Sequence, residues 1–291
     1  MLSASDVYFA RLGRVLAHID AHLDEELTVE RLASVAGFSK FHFHRQFAEL
    51  FGLGVYKYVQ GLRLRRASYR LAFRQEGILE IALDSGYESH EAFTRAFKRT
   101  IGQTPSEFRD RPEWKGWSES NQPLTEVRRH MTPQHRPEDV TIVDFPETRV
   151  GMLEHRGDPN RIGDTIRRFI EWRKQTGARP PASATFNLFH EDPAQVPPEE
   201  FRLGLCAGIT KTVAPNEQGV VESVIPGGRC AVLRHVGSDD GLGATLKYLY
   251  GVWLPASGEE LRDFPLFARR VSMFPDVPEG EAVTEVYLPL R

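Results

Sequence analysis

Two similar stretches decide the fold of the N-terminal part of this chain: GFSKFHFHRQFAELFG at residues 37–52 and GYESHEAFTRAFKRTIG at residues 86–102. With a shift of 50 positions, the identical pairs are Ser39 and Ser89, Phe43 and Phe93, Arg45 and Arg95, Phe47 and Phe97, and Gly52 and Gly102. One small motif is therefore present twice.

The motif predicts a helix, a tight turn and a second helix. Thr28 can cap a first short helix, and Gly37 permits the positive φ that a sharp turn needs. Ser39 can cap the second helix, on which Phe43 and Phe47 are one turn apart and face inward. The second copy follows the same plan around its own glycine.

The positions of each second helix that point outward are mostly polar or basic. Residues 40–111 hold 13 Lys plus Arg against 8 Asp plus Glu, whereas the whole chain has a net charge of −3. Phosphate contact needs such local positive charge. A helix-turn-helix is also a common packing unit, so its shape alone does not establish DNA binding. The residues predicted to face DNA are Lys40, Phe41, His44, Arg45, His90, Glu91, Thr94, Arg95 and Lys98.

Residues 28–109 resemble the DNA-binding domain of AraC/XylS-type transcription regulators. The resemblance also rests on GQTPSEFR at residues 102–109 and on a pattern in the connecting helix, formed by Tyr58, Arg63, Leu64, Ala67 and Leu71. It implies an all-α domain in which one long helix, residues 54–72, joins two helix-turn-helix units. Their recognition helices would enter successive major grooves of double-stranded DNA. RNA polymerase is a further expected partner.

Length and composition place this domain in a larger protein. A chain of 291 residues predicts about two domains, and 41% apolar and 26% charged residues are ordinary for a globular protein. No apolar run approaches 18 residues and the N-terminus lacks a signal-peptide pattern, so a cytoplasmic location without membrane contact is expected. Cys206 and Cys230 are not in a CxxC pair and are expected to be reduced thiols.

Three segments are predicted: a DNA-binding domain at residues 1–111, a linker at 112–139 and an effector-binding domain at 140–291. Within the first, residues 6–26 carry an apolar helical stripe that is expected to cover the first unit or, alternatively, to dimerise. The linker is rich in proline and shows little periodicity. Trp114 and Trp117 within it are expected to pack on one of the two domains.

A second duplication begins near residue 140, at a shift of 80 positions. The segment from Asp144 aligns without a gap with that from Val224, and the pairs include Pro146 and Pro226, Leu153 and Leu233, His155 and His235, and Gly157 and Gly237. Each half reads as strands, one helix, then strands. We therefore expect an α+β domain of two like halves, with helices on one face of an antiparallel sheet and a cleft on the other.

Residues 140–291 resemble the GyrI-like effector-binding domain, a duplicated fold of SHS2 type. The resemblance rests on the H-x-G after one strand of each half, on WLPASG at residues 253–258 and on TEVYLPL at 284–290. It implies a small-molecule ligand. Gly204 stands where an acidic residue is common, and Asp239 and Asp240 replace a Pro and a Tyr.

Glu285 is the candidate ligand-facing residue. Strand alternation places Glu285 and Tyr287 on one face, while Val286 and Leu288 suit the core under the helices. A carboxylate in an apolar pocket is costly unless a cation pairs with it, which predicts a lipophilic or cationic ligand. A solvated glutamate at a strand edge is the alternative. Further candidate walls, for which ordinary core packing is the competing interpretation, are Trp253, Tyr248, Phe186 and Phe189.

The sequence contains no GxSxG, HExxH or phosphate-binding glycine loop, and we expect no catalytic residue, cofactor or metal. The favoured function is a ligand-responsive transcription regulator. Two alternatives stay open for the C-terminal domain. It could be a small hydrolase with Glu285 as general base, or a protein-binding module.

Overall fold

A computed structural model of the chain describes residues 4–129 and 135–291. The chain divides into a helical unit and a sheet unit. The helical unit holds the described residues up to 129 together with Phe274–Glu281, and the sheet unit holds residues 135–273 and Ala282–Arg291. None of the described helices combines the length and the apolar character needed to cross a membrane.

The described part of the helical unit contains eight α-helices. They are α1 (Ala4–Ala21), α2 (Val29–Ala36), α3 (Lys40–Phe51), α4 (Val55–Phe73), α5 (Ile78–Asp84), α6 (His90–Ile101), α7 (Pro105–Asp110) and α8 (Trp114–Arg129). The predicted connecting helix is α4, and its bounds agree with the prediction to within one residue at each end.

The predicted caps and turns are confirmed. The hydroxyl oxygens of Thr28 and Ser39 accept hydrogen bonds from backbone N–H groups in the first turns of α2 and α3. Gly37 and Gly86 have φ of 67° and 77°, values that favour glycine because it lacks a Cβ atom. Each turn thereby sets the start of the helix that follows it.

Helix α1 covers the first helix-turn-helix unit, as predicted. Its buried Leu12, Val15 and Ile19 belong to the core cluster that contains Phe43 and Phe47 of α3. The apolar stripe of α1 therefore packs in the core of the helical unit.

The prediction of a linker at residues 112–139 is wrong for most of its length, because α8 occupies Trp114–Arg129. Trp114 stacks on Phe73 of α4 with ring centroids 5.6 Å apart, and Leu124 and Val127 are buried. These residues recur at helical spacing around Pro123, which lies inside the helix and hid the periodicity. Residues 130–134 of the predicted linker lie outside the described residues.

The helical unit contains a buried cluster of four charges. Arg128 of α8 donates to Asp20 of α1 over 2.7 Å and to Glu279 over 3.1 Å. Arg65 of α4 lies 3.2 Å from the other carboxylate oxygen of Glu279. Because charges taken out of water are costly unless paired, the cluster fixes which residues approach one another.

Replacing Arg128 by Met is expected to lower the free energy of unfolding by about 3–5 kcal/mol, because two buried carboxylates then lose a partner. Arg129→Met is the matched control. Arg129 is exposed and paired with Glu126, so its loss is expected to cost less than about 1 kcal/mol. Urea denaturation followed by circular dichroism measures both values. Similar costs for the two variants would contradict a stabilising role for the cluster.

The sheet unit alternates strands and helices twice. Its first half contains β1 (Val140–Phe145), β2 (Thr148–Arg156), α9 (Ile162–Thr176), β3 (Thr185–Phe189) and β4 (Arg202–Gly208). Its second half contains β5 (Val221–Ile225), β6 (Gly228–Val236), α10 (Leu242–Tyr248), a π-helical turn (Leu249–Trp253), α11 (Leu254–Ser257), β7 (Phe267–Ser272) and β8 (Val283–Pro289).

All eight strands form one antiparallel sheet in the order β1-β6-β8-β7-β3-β4-β2-β5. The two halves meet where β7 pairs with β3, and they also pair at both ends of the sheet, where β1 lies beside β6 and β5 lies beside β2. The predicted α+β architecture of two like halves is confirmed.

The two faces of the sheet have different neighbours. Val286 and Leu288 of β8 lie in a core cluster with Leu249 and Trp253, on the helical side. Tyr287, between them in sequence, belongs to a separate cluster on the opposite face. The predicted alternation of β8 is therefore confirmed.

Two buried histidines play the same structural role in the two halves. The Nδ1 atoms of His155 and His235 lie 2.8 and 2.9 Å from the hydroxyl oxygens of Thr165 and Thr245. Each Nε2 atom also lies within 3.2 Å of a backbone carbonyl oxygen three residues later. Both histidines are thus used to connect a strand to the helix that follows it.

Candidate nucleic-acid interface and ligand site

Helix α3 presents a polar and basic surface because its opposite side is buried. Phe43 and Phe47 are fully buried, and both belong to the core under α1. On the other side the side chain of Phe41 is 77% exposed, and the ammonium of Lys40 lies 5.3 Å from the centre of its ring. His44 and Arg45 are exposed as well. The predicted outward set of the first unit therefore faces solvent.

Helix α6 repeats this arrangement with different outward residues. Phe93 and Phe97 are fully buried, whereas the predicted residues His90, Glu91, Arg95 and Lys98 are exposed. Bonds from the backbone N–H of Glu91 and from Ser89 hold the pKa of the Glu91 carboxyl below its usual value. An ionised carboxylate is thereby held in the first turn of the helix.

Thr94 departs from the prediction, because it is half-buried and its hydroxyl oxygen is shielded from solvent. It follows Phe93 directly and precedes Phe97 by three positions, so it lies at the border of the buried side of α6. Its neighbour Arg95 is exposed.

Glu285 lies at the border of a packed aromatic cluster. Its side chain is 23% exposed, and one carboxylate oxygen accepts a 2.9 Å hydrogen bond from the Tyr287 hydroxyl. The Tyr287 ring stacks on Phe267 with centroids 4.9 Å apart, and Phe145 packs edge-on against both. Burial, followed by the hydrogen bond to Glu285, raises the pKa of Tyr287 to about 12.

Two arginines that the sequence analysis missed flank Glu285. The guanidinium of Arg234 on β6 lies 4.0 Å from one of its oxygens, and that of Arg269 on β7 lies 4.0 Å from the other. Glu285 therefore has two cationic side chains of the protein beside it, which the prediction of a cationic ligand did not take into account. Alternation along each strand indicates these positions only once the pairing order β6-β8-β7 is known.

The structure brings together only part of the predicted ligand site. Phe186 is buried in the same cluster as Tyr287. Trp253 and Tyr248 instead pack on the helical side of the sheet, with Val286 and Leu288. Phe189 also packs against the clusters on that side, because it is three positions from Phe186 on β3. The prediction that these three residues line the site of Glu285 is wrong.

In the part of the chain that the structure describes, no three His, Cys, Asp or Glu side chains are grouped closely enough to hold a metal ion. Both cysteines are free thiols and buried, and burial raises the pKa of Cys206. Because the thiolate is the reactive form, neither cysteine is placed to act as a nucleophile.

Comparison with known proteins gives two family matches. A model described as a GyrI-like small molecule binding domain matches residues 138–291, and one described as a helix-turn-helix domain matches residues 32–111. Probable transcriptional regulator YgiV of Escherichia coli K12 is 40% identical over 153 residues, which cover 52% of this chain and 96% of that protein.

Two further similarities cover parts of the chain. Right origin-binding protein of Escherichia coli K12 is 33% identical over 132 residues, 45% of this chain and 44% of that protein. The crystal structure of the EcmrR C-terminal domain matches 52% of this chain and 96% of its own, with 19% identity and a TM-score of 0.43.

The hydrogen bond from Tyr287 to Glu285 predicts that the phenol of Tyr287 titrates with a raised pKa. In NMR spectra of the chain labelled with ¹³C at tyrosine Cζ, the Tyr287 signal is expected to keep the chemical shift of the protonated phenol at about pH 11, one unit above the reference pKa. Glu285→Gln should lower this pKa, because a carboxylate next to the phenol opposes its ionisation. Glu260→Gln removes an exposed carboxylate paired with Arg291 and should change nothing. Tyr287→Phe assigns the signal, and an unchanged pKa in Glu285→Gln would contradict the geometry.

Proposed function

The chain belongs to the GyrI-like family of small-molecule-binding domains, here preceded by a helix-turn-helix domain of the AraC type, and we propose that it is a ligand-responsive transcription regulator. The helical unit binds a specific double-stranded DNA sequence, and the sheet unit binds a small lipophilic effector. The observation that carries the proposal is the double occurrence of a helix with a fully buried phenylalanine pair and an exposed arginine two positions after the first phenylalanine.

The DNA contacts follow from the chemistry of the exposed residues. Arg45 and Arg95 have the donor geometry for O6 and N7 of guanine, and Glu91 can accept from N4 of cytosine. The exposed ring of Phe41 offers apolar contact to a thymine methyl group. The remaining residues of the interface contact phosphates, which position the helices without reading sequence: Lys40, His44, His90 and Lys98.

Effector binding changes transcription if the ligand prefers one conformation of the protein. A ligand shifts such an equilibrium only by its difference in affinity for the two states. The shift is read out as a change in DNA affinity or in contact with RNA polymerase. The names of YgiV and of Rob of Salmonella typhimurium as transcriptional regulators support this proposal, which places the protein in the cytoplasm.

Arg45→Ala and Arg95→Ala are each expected to weaken specific DNA binding by about 1–3 kcal/mol and to relax the sequence preference at one position, because a bidentate guanine contact is lost. The measurement is fluorescence anisotropy at fixed salt, with a duplex selected from a random library by the wild-type chain.

Arg161→Ala is the matched control, since Arg161 is an exposed arginine of the sheet unit paired with Asp164. Its DNA affinity should equal that of the wild type. Lys98→Ala should weaken binding to all DNA sequences alike. It should also reduce the slope of log affinity against log salt concentration by about one, because one phosphate contact is lost. If both recognition-helix arginine variants bound the selected duplex as tightly as the wild type, the assignment of α3 and α6 would be wrong.

The regulator proposal also predicts reciprocal coupling. An effector that raises the melting temperature of the full chain should change its affinity for the selected duplex, and the duplex should change effector affinity by the same factor. Titration calorimetry in both orders measures the two factors. Chromatography of the ligand after incubation should recover it unchanged. Conversion of the ligand to a product would favour the hydrolase alternative instead.

A further inference from the structure

The sheet face opposite the helices carries a row of three charges across three strands. In the register of the sheet, Arg234 of β6 and Arg269 of β7 are the direct partners of Glu285 on β8. Side chains of directly paired residues lie on the same face. The row therefore reads arginine, glutamate, arginine, and its net charge is positive.

The two guanidinium groups keep donors available. Each lies 4.0 Å from Glu285, which is longer than a hydrogen bond, while Glu285 accepts from the Tyr287 hydroxyl. The arginine side chains are 59% and 50% exposed, against 23% for the glutamate. Among the described residues, Glu285 is the one acidic group within ion-pair distance of either arginine. A guanidinium has five N–H donors in a fixed fork, so several of them remain to face an incoming ligand.

The fold does not require this row. In the first half of the sheet unit, the residues at the equivalent positions are Glu154 on β2, Gly204 on β4 and Leu188 on β3, and their pairing follows the same register. The first half thus forms the same strand pairing with Glu154, Gly204 and Leu188 at these three positions. The three charges are thus a property of one half, as expected of a ligand site and not of a structural constraint.

Apolar side chains border the charged row on both sides. Val232, which is partly buried, is paired with Tyr287 on one side, and Val236, which is about half exposed, is paired with Val283 on the other. A ligand that contacts the row therefore also contacts hydrocarbon. This surface matches a molecule with one charged group and an apolar body.

We infer that the effector of this site is a lipophilic anion, with a carboxylate or similar group held by Arg234 and Arg269; the inference rests on the proposal that the sheet unit is a ligand sensor. A cation approaching Glu285 meets two positive groups beside one negative group, whereas an anion gains charge-assisted hydrogen bonds from both guanidiniums. The carboxylate of Glu285 holds the arginines in place and limits their affinity for anions.

The test uses three probes with one ring system: 2-naphthoate, 2-naphthylmethylammonium and the neutral 2-naphthylmethanol. Titration calorimetry of the full chain at constant ionic strength gives their dissociation constants. The naphthoate is expected to bind at least about tenfold more tightly than the ammonium, with the alcohol between them, since each added charge interaction at a partly exposed site is of this order.

Variants assign the effect to the row. Arg234→Gln and Arg269→Gln should each weaken naphthoate about tenfold and leave the alcohol unchanged, because they remove a charge but little apolar surface. Glu285→Gln should tighten naphthoate and weaken the ammonium. Arg161→Gln, a matched change at an exposed arginine outside the row, should leave all three constants unchanged. Circular dichroism melting curves check that each variant is folded. If Arg269→Gln is unfolded, Arg269→Lys replaces it in the test, because it keeps the charge but loses the guanidinium fork.

The outcomes separate this inference from the sensor proposal. Tighter binding of the ammonium, or naphthoate binding that is indifferent to both arginines, overturns the anion assignment while the sensor proposal stands. If none of the probes binds the folded chain, the anion assignment is overturned, and the sensor proposal is decided by the coupling between effector and DNA binding. If naphthoate binds with the predicted dependence on the arginines but leaves DNA affinity unchanged, the anion site is supported and the regulatory proposal fails.

Discussion

The burial of two phenylalanine pairs fixes how α3 and α6 are rotated about their own axes, and the surface that these helices present depends on it. Phe43 with Phe47, and Phe93 with Phe97, are fully buried. Burying such a side chain contributes roughly 1.5–3 kcal/mol, so turning either helix to hide its arginine would sacrifice two such contributions. The serine caps and the glycines in the turns fix where each helix starts. Exposure of Arg45 and Arg95 is thus a consequence of core packing.

The sheet unit depends on the equivalent constraint for a strand. Val286 and Leu288 are buried under α10 and the π-helical turn, and a slip of one residue would move them to the other face. Because the side chains alternate, Glu285 and Tyr287 must lie opposite the helices. The pairing of β8 with β6 and β7 then brings Arg234 and Arg269 beside Glu285. The burial of apolar residues outside the charged row therefore fixes which positions lie in the row, but not which residue types occupy them.

These constraints explain which features were predictable from the sequence. Caps, turns and inward faces are local, so the duplicated motif and the alternation of β8 sufficed to predict them. The charged row and the cluster of Asp20, Arg65, Arg128 and Glu279 can be predicted only when it is known which distant segments are adjacent, and periodicity carries no such information. Helix α8 was missed for a different reason, since Pro123 and its flanking prolines resemble a linker although the apolar residues keep helical spacing. Phe189 and Trp253 were misplaced because aromatic character alone does not identify the face of a sheet.

Both duplications separate what the fold needs from what recognition needs. In the helical unit the two copies share Ser39 and Ser89 and the buried phenylalanines, yet Phe41 of one copy corresponds to Glu91 of the other. In the sheet unit the two copies share the buried histidine bound to a threonine, yet Arg234 corresponds to Glu154. Shared positions are those that caps, turns and cores constrain physically. The divergent residues Phe41, Glu91 and Arg234 are exposed, so packing leaves the residue type free at these positions and a difference between the copies there is not a requirement of the fold.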